Sequence, residues 1–244
     1  MNSEKPKLKL DWCSHKAAEY ACKNWHYSGC IPKSKLVKIG VWENGEFIGV
    51  IIYSYGANNM MGKAFGLKQI EICELTRVAL REHQTPVSRL LSISQKMLKK
   101  LCPGLRLIVS YADIDQEHTG SIYKANGWVY IGKTDVGGKG SFIINGKKVH
   151  SKTIWTNYGK GTQNLTWLRE NLDPNAEFHV TKGKHKYCMP LDDDMKVFVE
   201  KLRKPYPVDM RQQSSSKTTE FHSVKEGVIP ILAHQLNKDY VRSS

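Results

Sequence analysis

Between Glu74 and Gly132 the chain alternates strand-like and helix-like runs, and this alternation limits the fold more than any other feature. Leu75, Arg77 and Ala79 alternate with Thr76, Val78 and Leu80, the two-residue period of a strand. A polar joint from Arg81 to Val87 follows, with Pro86 near its end. Leu90, Leu91, Ile93, Met97, Leu98 and Leu101 then recur with helical period and give one apolar face. Cys102-Pro103-Gly104 stops that helix. Leu105 to Tyr111 is nearly all apolar, as in a strand covered on both faces. A second short helix and a strand lead to Gly132. A helix start beside a strand end presents backbone N–H groups that can hold an anion. The stretch is therefore expected to form a crevice whose polar residues sit at the joints.

Charge narrows what enters such a crevice. The 244 residues carry 37 Lys and Arg against 23 Asp and Glu, a net charge of +14. That excess attracts polyanions such as nucleic acid, or phosphorylated ligands of the CoA type. No run is long and apolar enough for a membrane span, and MNSEKPKLKL lacks the apolar segment of an export signal, so a soluble, unexported protein is expected. The six cysteines contain no C-x-x-C pair, which suits free thiols better than disulfides.

In chain order, residues 1–9 read as a loose basic arm and Asp11 to Tyr27 as a helix with Ser14 as its cap. Cys22, His26 and Cys30 are spaced four apart, but Gly29 interrupts the helix, so Cys22 reads as a core residue rather than a zinc ligand. Lys35–Trp42 and Phe47–Tyr55 form a hairpin turning at Asn44-Gly45. A loop follows, and a third antiparallel strand begins at Gln69. After a glycine-rich turn, Ser141–Ile144 and Lys147–Ile154 make a second hairpin at Asn145-Gly146. A short helix covers Leu165–Asn171, a third basic hairpin runs from Glu177 to Pro190, and a last helix spans Asp192–Lys201. A serine-rich linker at 211–217 leads to a tail.

Three strands followed by β-α-β-α-β is the element order of the GNAT acyltransferases, which the chain resembles. More specific are the words Asp11-Trp12-Cys13-Ser14-His15, Asn24-Trp25-His26-Tyr27-Ser28, Leu36-Val37-Lys38, Gly40-Val41-Trp42-Glu43-Asn44-Gly45, Glu74-Leu75-Thr76-Arg77-Val78-Ala79-Leu80 and Gly120-Ser121-Ile122-Tyr123. They resemble the Mom family of phage DNA-modification proteins over roughly residues 10–205. The resemblance implies an α+β, GNAT-like acyltransferase fold, with a mixed central sheet flanked by helices and a basic C-terminal hairpin extension. The expected parts are a core at 1–134, a basic β-rich extension at 135–205 that completes the domain and contacts DNA, and a linker and tail at 206–244.

It also implies an activity: conversion of adenine in DNA to N6-carbamoylmethyladenine, in the cytoplasm of a phage host, protecting the DNA from restriction. Carried over by motif, His26, Tyr27, Asp113 and Tyr123 are the candidate catalytic residues. Arg77, Arg81, Val87, Ser88 and Ser110 are the candidate donor-binding residues. The donor would be acyl-CoA, an acetyl-CoA-like molecule or a glycyl carrier. Iron is associated with the family, and His26 with Asp113 is the pair that could ligate it. The loop Arg81–Ser88 lacks the glycines of the usual phosphate grip, which weakly favours a donor other than acetyl-CoA.

Adenine N6 is a poor nucleophile, so a base or an electrophilic activator is needed. His26 and Asp113 are candidates for that role. In bland readings Asp113 is a helix cap, Arg77 an ion-pair partner of Glu74 or Asp113, and Tyr123 a packing residue. Double-stranded DNA would be held by Lys147, Lys148 and Lys152 and by Lys182, Lys184 and Lys186, with Trp25, Tyr55 or Trp128 stacking on an extruded base. A homodimer is one arrangement left open. The competing functions are an acetyl-CoA-dependent N-acetyltransferase for a protein or small amine, and a non-catalytic DNA-binding protein on a decayed acyltransferase fold.

Overall fold

The computed structural model describes residues 5–56, 60–134 and 140–207. In chain order its elements are β1 (Leu8–Trp12), α1 (His15–Trp25), β2 (Leu36–Glu43), β3 (Glu46–Ser54), β4 (Ile72–Leu80), α2 (Val87–Leu101), β5 (Leu107–Asp113), α3 (Ser121–Ala125) and β6 (Val129–Lys133). Then come β7 (Ser141–Ile144), β8 (Lys147–His150), α4 (Ser151–Tyr158), α5 (Leu165–Asn171), β9 (Glu177–His179), β10 (Lys184–Pro190) and α6 (Asp193–Glu200).

A mixed seven-stranded sheet runs in the order β1-β2-β3-β4-β5-β10-β6. Its two faces follow from strand alternation. Ile51 and Tyr53 of β3 join the core built with Leu90, Leu91 and Leu98 of α2. Their neighbours Val50 and Ile52 pack with Ala18, Ala21 and Cys22 of α1 on the other side. Farther along the sheet, Met195 and Val199 of α6 cover Leu107, Val109, Val129 and Cys188. Each fully buried leucine of α2 contributes about 2 kcal/mol. Pro86 stands at the start of α2, where a missing N–H leaves no helical bond unmade.

β7, β8 and β9 form a separate three-stranded sheet in the order β8-β7-β9. Its small core is Phe142, Ile144, Ile154, Leu168 and Ala176. Both Asn-Gly hairpins form as expected. Asn44 and Gly45 have φ of 53° and 86°, and Asn145 and Gly146 have 50° and 71°, the left-handed pair that a two-residue turn needs.

Several expectations are corrected. Leu8–Trp12 is a strand rather than a loose arm, paired antiparallel to β2 from Leu8↔Glu43 to Trp12↔Ile39. It takes the third antiparallel place, since Gln69–Glu71 forms a 3-10 turn and not the start of a strand. α1 is shorter than Asp11–Tyr27, although Ser14 does cap it, accepting from Ala17 N at 3.1 Å. The strand expected over Lys147–Ile154 ends at His150, which accepts from Lys152 N at 3.0 Å and opens α4. Glu177–Pro190 is not a hairpin. β9 joins the small sheet while β10 lies between β5 and β6 in the large one. The tail and linker expected beyond residue 207 lie outside the described residues. Among the described residues no helix is long and apolar enough to cross a membrane.

Candidate active site

The site begins where two parallel strands part. β4 and β5 pair only at Ile72↔Leu107, Cys73↔Ile108 and Glu74↔Val109, although β4 continues to Leu80 and β5 to Asp113. Beyond that point β4 stays with β3 and β5 with β10. Side chains bridge the opening wedge. The buried Ser110 hydroxyl lies 2.8 Å from Leu75 O and 2.8 Å from Tyr123 Oη. Ser110 has one proton and a carbonyl can only accept, so that proton goes to Leu75 O and Tyr123 donates its own to Ser110 Oγ.

Tyr123 is 7% exposed and packed against Trp128 and Tyr187, with ring centroids 5.1 and 4.9 Å away. Burial pushes its hydroxyl up to about 12, so it stays neutral. Of the candidate catalytic residues, Tyr123 is thus the one tied into the floor of the wedge. Asn126, just after α3, fixes that floor to α2. It donates to Ser88 O at 2.9 Å and Ser92 Oγ at 2.7 Å, and its Oδ1 accepts from Gln95 and Trp128 Nε1 at 2.7 and 2.8 Å.

The mouth is built from the end of α1, the middle of β4 and the end of β5. Arg77 donates from Nε to Cys30 O at 3.3 Å and from a terminal nitrogen to Thr76 O at 2.8 Å, which ties β4 to the loop after α1. His26 closes α1. Its Nδ1 accepts from Ser28 N at 3.1 Å and lies 2.8 Å from Ser28 Oγ. The neutral ring therefore carries its proton on Nε2, which is a donor rather than a lone pair. Burial, with the charges of Arg77 and His118 nearby, pushes His26 down to about 4, so it is neutral at pH 7.

Tyr27 is half exposed, and its ring meets His118 edge-on at 5.3 Å. Its hydroxyl is raised by burial first and then by the negative charge of Asp113. Asp113 accepts from Asp115 N at 3.0 Å and so caps the 3-10 turn Ile114–Gln116, not α3. His26, Tyr27, Arg77 and Asp113 thus share one mouth, with Glu74 and His118 within electrostatic reach of Tyr27 and His26 respectively.

The loop between β4 and α2 was expected to hold phosphate, but a carboxylate of the chain occupies it. Glu43, 8% exposed, accepts from Gln84 N at 2.9 Å, Thr85 N at 2.8 Å and Thr85 Oγ1 at 2.5 Å. Burial opposes its charge, yet these bonds hold the carboxyl below its usual range. The guanidinium of Arg81 pairs with Glu46. Ser88 uses its carbonyl for Asn126 and Ser92, and Val87 packs against the main core. Glu43 takes the Gln84 and Thr85 amides and Pro86 has no N–H, so three consecutive positions of this loop offer no amide to a phosphate. Among the described residues no group of three His, Cys, Asp or Glu side chains could hold a metal ion. The Cys22-His26-Cys30 spacing ends with Cys22 buried in the α1 core and Cys30 beyond the helix.

The basic residues meet the mouth through Asp115. This carboxylate, with a side chain 7% exposed, pairs with Lys148, with His179 Nε2 at 3.0 Å and with Lys182 N at 3.0 Å. Burial works against its charge, but Lys148, His179 and Lys182 outweigh that and hold Asp115 well below the usual carboxylate range. Lys184 stands opposite Asp113 in the β5–β10 register. Lys186 lies over the Phe65 ring at 4.7 Å, while Lys147 and Lys152 are exposed. Trp128 is fully buried and cannot stack on a base; Trp25 packs between Tyr20 and Phe47, and Tyr55 is 41% exposed.

A model of the Mom protein family matches residues 7–208, from β1 through the segment that follows α6. The chain belongs to the Mom protein family. One relative is the "Methylcarbamoylase mom" of Escherichia phage Mu, 24% identical over 152 residues, which are 61% of this chain and 61% of that protein. The chain thus aligns with about three fifths of that relative's length. The Mom match takes in the wedge, the mouth and the basic extension together.

Sequence reasoning missed Glu43, Asp115, Glu74 and His118. Asp115 and His118 lay in plain view in the polar run after Asp113, but nothing local shows that Asp115 reaches β8 and β9. Glu43 stood in the Gly40–Gly45 word, but one acidic residue before a turn gives no sign that it reaches the loop before α2.

Proposed function

We propose that this chain modifies adenine in DNA to N6-carbamoylmethyladenine. The observation that carries the reading is the Mom family match, which spans the wedge and the extension. The name of the phage Mu relative agrees with it. The mouth offers the chemistry such a step requires. Asp113 is the base that takes a proton from adenine N6. Neutral His26, through Nε2–H, and Arg77 are the donors for charge that develops on a carbonyl oxygen under attack. Tyr123, held on Ser110, keeps the wedge open rather than delivering a proton.

The occupied Glu43 loop disfavours acetyl-CoA and favours an activated glycine on another carrier, as an ester or thioester. Adenine N6 attacks the glycyl carbonyl, and the carrier leaves, giving an amide. The glycyl amine then attacks adenine C6 through a five-membered ring. The bond from C6 to the original nitrogen breaks, and the proton lost by the amine goes to that nitrogen, now the terminal amide. The product is an isomer of the first amide, so no oxidant or reductant is needed.

Cells expressing the chain and fed ¹⁵N-glycine test this route. Digested DNA is expected to contain a modified deoxyadenosine labelled at the ring-attached nitrogen. Label confined to the terminal amide contradicts the rearrangement, and an acetylated nucleoside would favour the acetyl-CoA reading.

A further inference from the structure

Helix α4 begins inside the run to Ile154 that was expected to be strand, and its outer surface is largely exposed. Ile154 faces the small core and is 1% exposed, while Trp155 and Tyr158, one turn apart, are 51% and 49% exposed. Tyr158 leans on Trp167 at 5.5 Å, and Trp155 has no ring partner among the described residues. Exposed aromatics of this size on so small a unit point to a contact surface.

Charge identifies the partner. Residues 140–169 contain no Asp or Glu, against Lys147, Lys148, Lys152, Lys160 and Arg169. Lys152 lies in the first turn of α4, and Lys160 follows its last turn between Gly159 and Gly161, whose φ of 96° and 89° put it on a tight exposed turn. Around His150, which opens the helix, Lys184, Lys152 and Lys148 lie close enough to depress its basicity, after the effect of burial.

Position links the surface to the mouth. Lys148 is held on Asp115, two residues beyond Asp113, and α4 begins three residues after Lys148. Lys184 faces Asp113 across the β5–β10 ladder.

We propose that α4 is the element that meets double-stranded DNA, with Trp155 and Tyr158 against bases and Lys152 and Lys160 on phosphates flanking them. Exposed rings can lie against base edges in a groove of the duplex, and paired cations fix the helix on the backbone. The proposal rests on DNA being the substrate.

Binding of a fluorescent duplex of about 20 base pairs, followed by anisotropy across a salt series, tests it. Trp155→Ala, alone and with Tyr158→Ala, is expected to weaken binding at every salt concentration and leave the salt slope unchanged. Lys152→Gln with Lys160→Gln is expected to lower the slope by about 2. The single Trp155→Ala variant, which removes an exposed ring only, keeps the test decisive if the double variant fails to fold. Variants that bind as the wild type remove α4 from the interface. A wild type that binds no duplex contradicts the proposed function itself, and preference for an RNA hairpin over the duplex overturns the choice of partner.

Discussion

His26 sits at the mouth as a donor, not a base, because Ser28 occupies Nδ1. The residue pattern Trp-His-Tyr-Ser marked the position in the sequence, but the choice of nitrogen depends on the backbone turn after α1. A titration of the histidine ring by NMR is expected to give a midpoint for His26 near 4 rather than at the ordinary value of 6.5. The sign follows: the folded chain resists protonation, so between pH 6.5 and about 4 the unfolded state gains protons first and stability falls as pH falls. A midpoint at 6.5 or above contradicts the half-buried, neutral ring. In the proposed step Asp113 then carries the base role alone. Tyr123, a candidate catalytic residue in the Gly-Ser-Ile-Tyr word, is hydrogen-bonded to Ser110, a partner on another strand that no local pattern reveals.

At the scale of elements, local signals were legible and partnerships were not. The α2 helix follows from its apolar period, and the two Asn-Gly hairpins follow from their turn residues. β1 escaped notice because Leu8-Lys9-Leu10 is short and basic and gains its pairing only from β2. Val149 and Ile154 gave the run after Asn145-Gly146 a strand-like look, but the His150 cap and the seat of Ile154 in the small core make its second half a helix. Lys182-Gly183-Lys184 resembled a hairpin turn, whereas it carries the chain from one sheet to the other.

Asp115 secures that crossing. Asp115→Asn is expected to cost about 2 kcal/mol in urea unfolding, since it leaves Lys148 without its partner beside a buried site. Its folded pKa is depressed, so the stabilisation is present above the unfolded value near 3.8 and fades as pH falls below it. The variant should lack that acid-dependent loss. Equal stability and equal acid sensitivity in both proteins would show that the contact does not hold the extension.

For the whole molecule, the +14 charge pointed to polyanionic partners before any fold was known, and the Mom words contain residues that line the mouth. Neither could show how the two are joined. A core of α+β type opens a wedge between β4 and β5, and a basic unit built on β7, β8 and α4 is anchored beside it through Asp115. Glu43 holds the Gln84 and Thr85 amides in the loop where a CoA donor was expected.

The most direct measurement of this account is mass spectrometry of nucleosides from plasmid DNA grown with the wild-type chain, Asp113→Ala or Glu43→Gln. The account predicts N6-carbamoylmethyldeoxyadenosine with the wild type and its loss, by tenfold or more, with Asp113→Ala. Glu43→Gln, which keeps an acceptor in the loop, should retain the product. Unmodified DNA from cells holding folded wild-type protein, or full modification by Asp113→Ala, would contradict the claim that the wedge mouth modifies adenine.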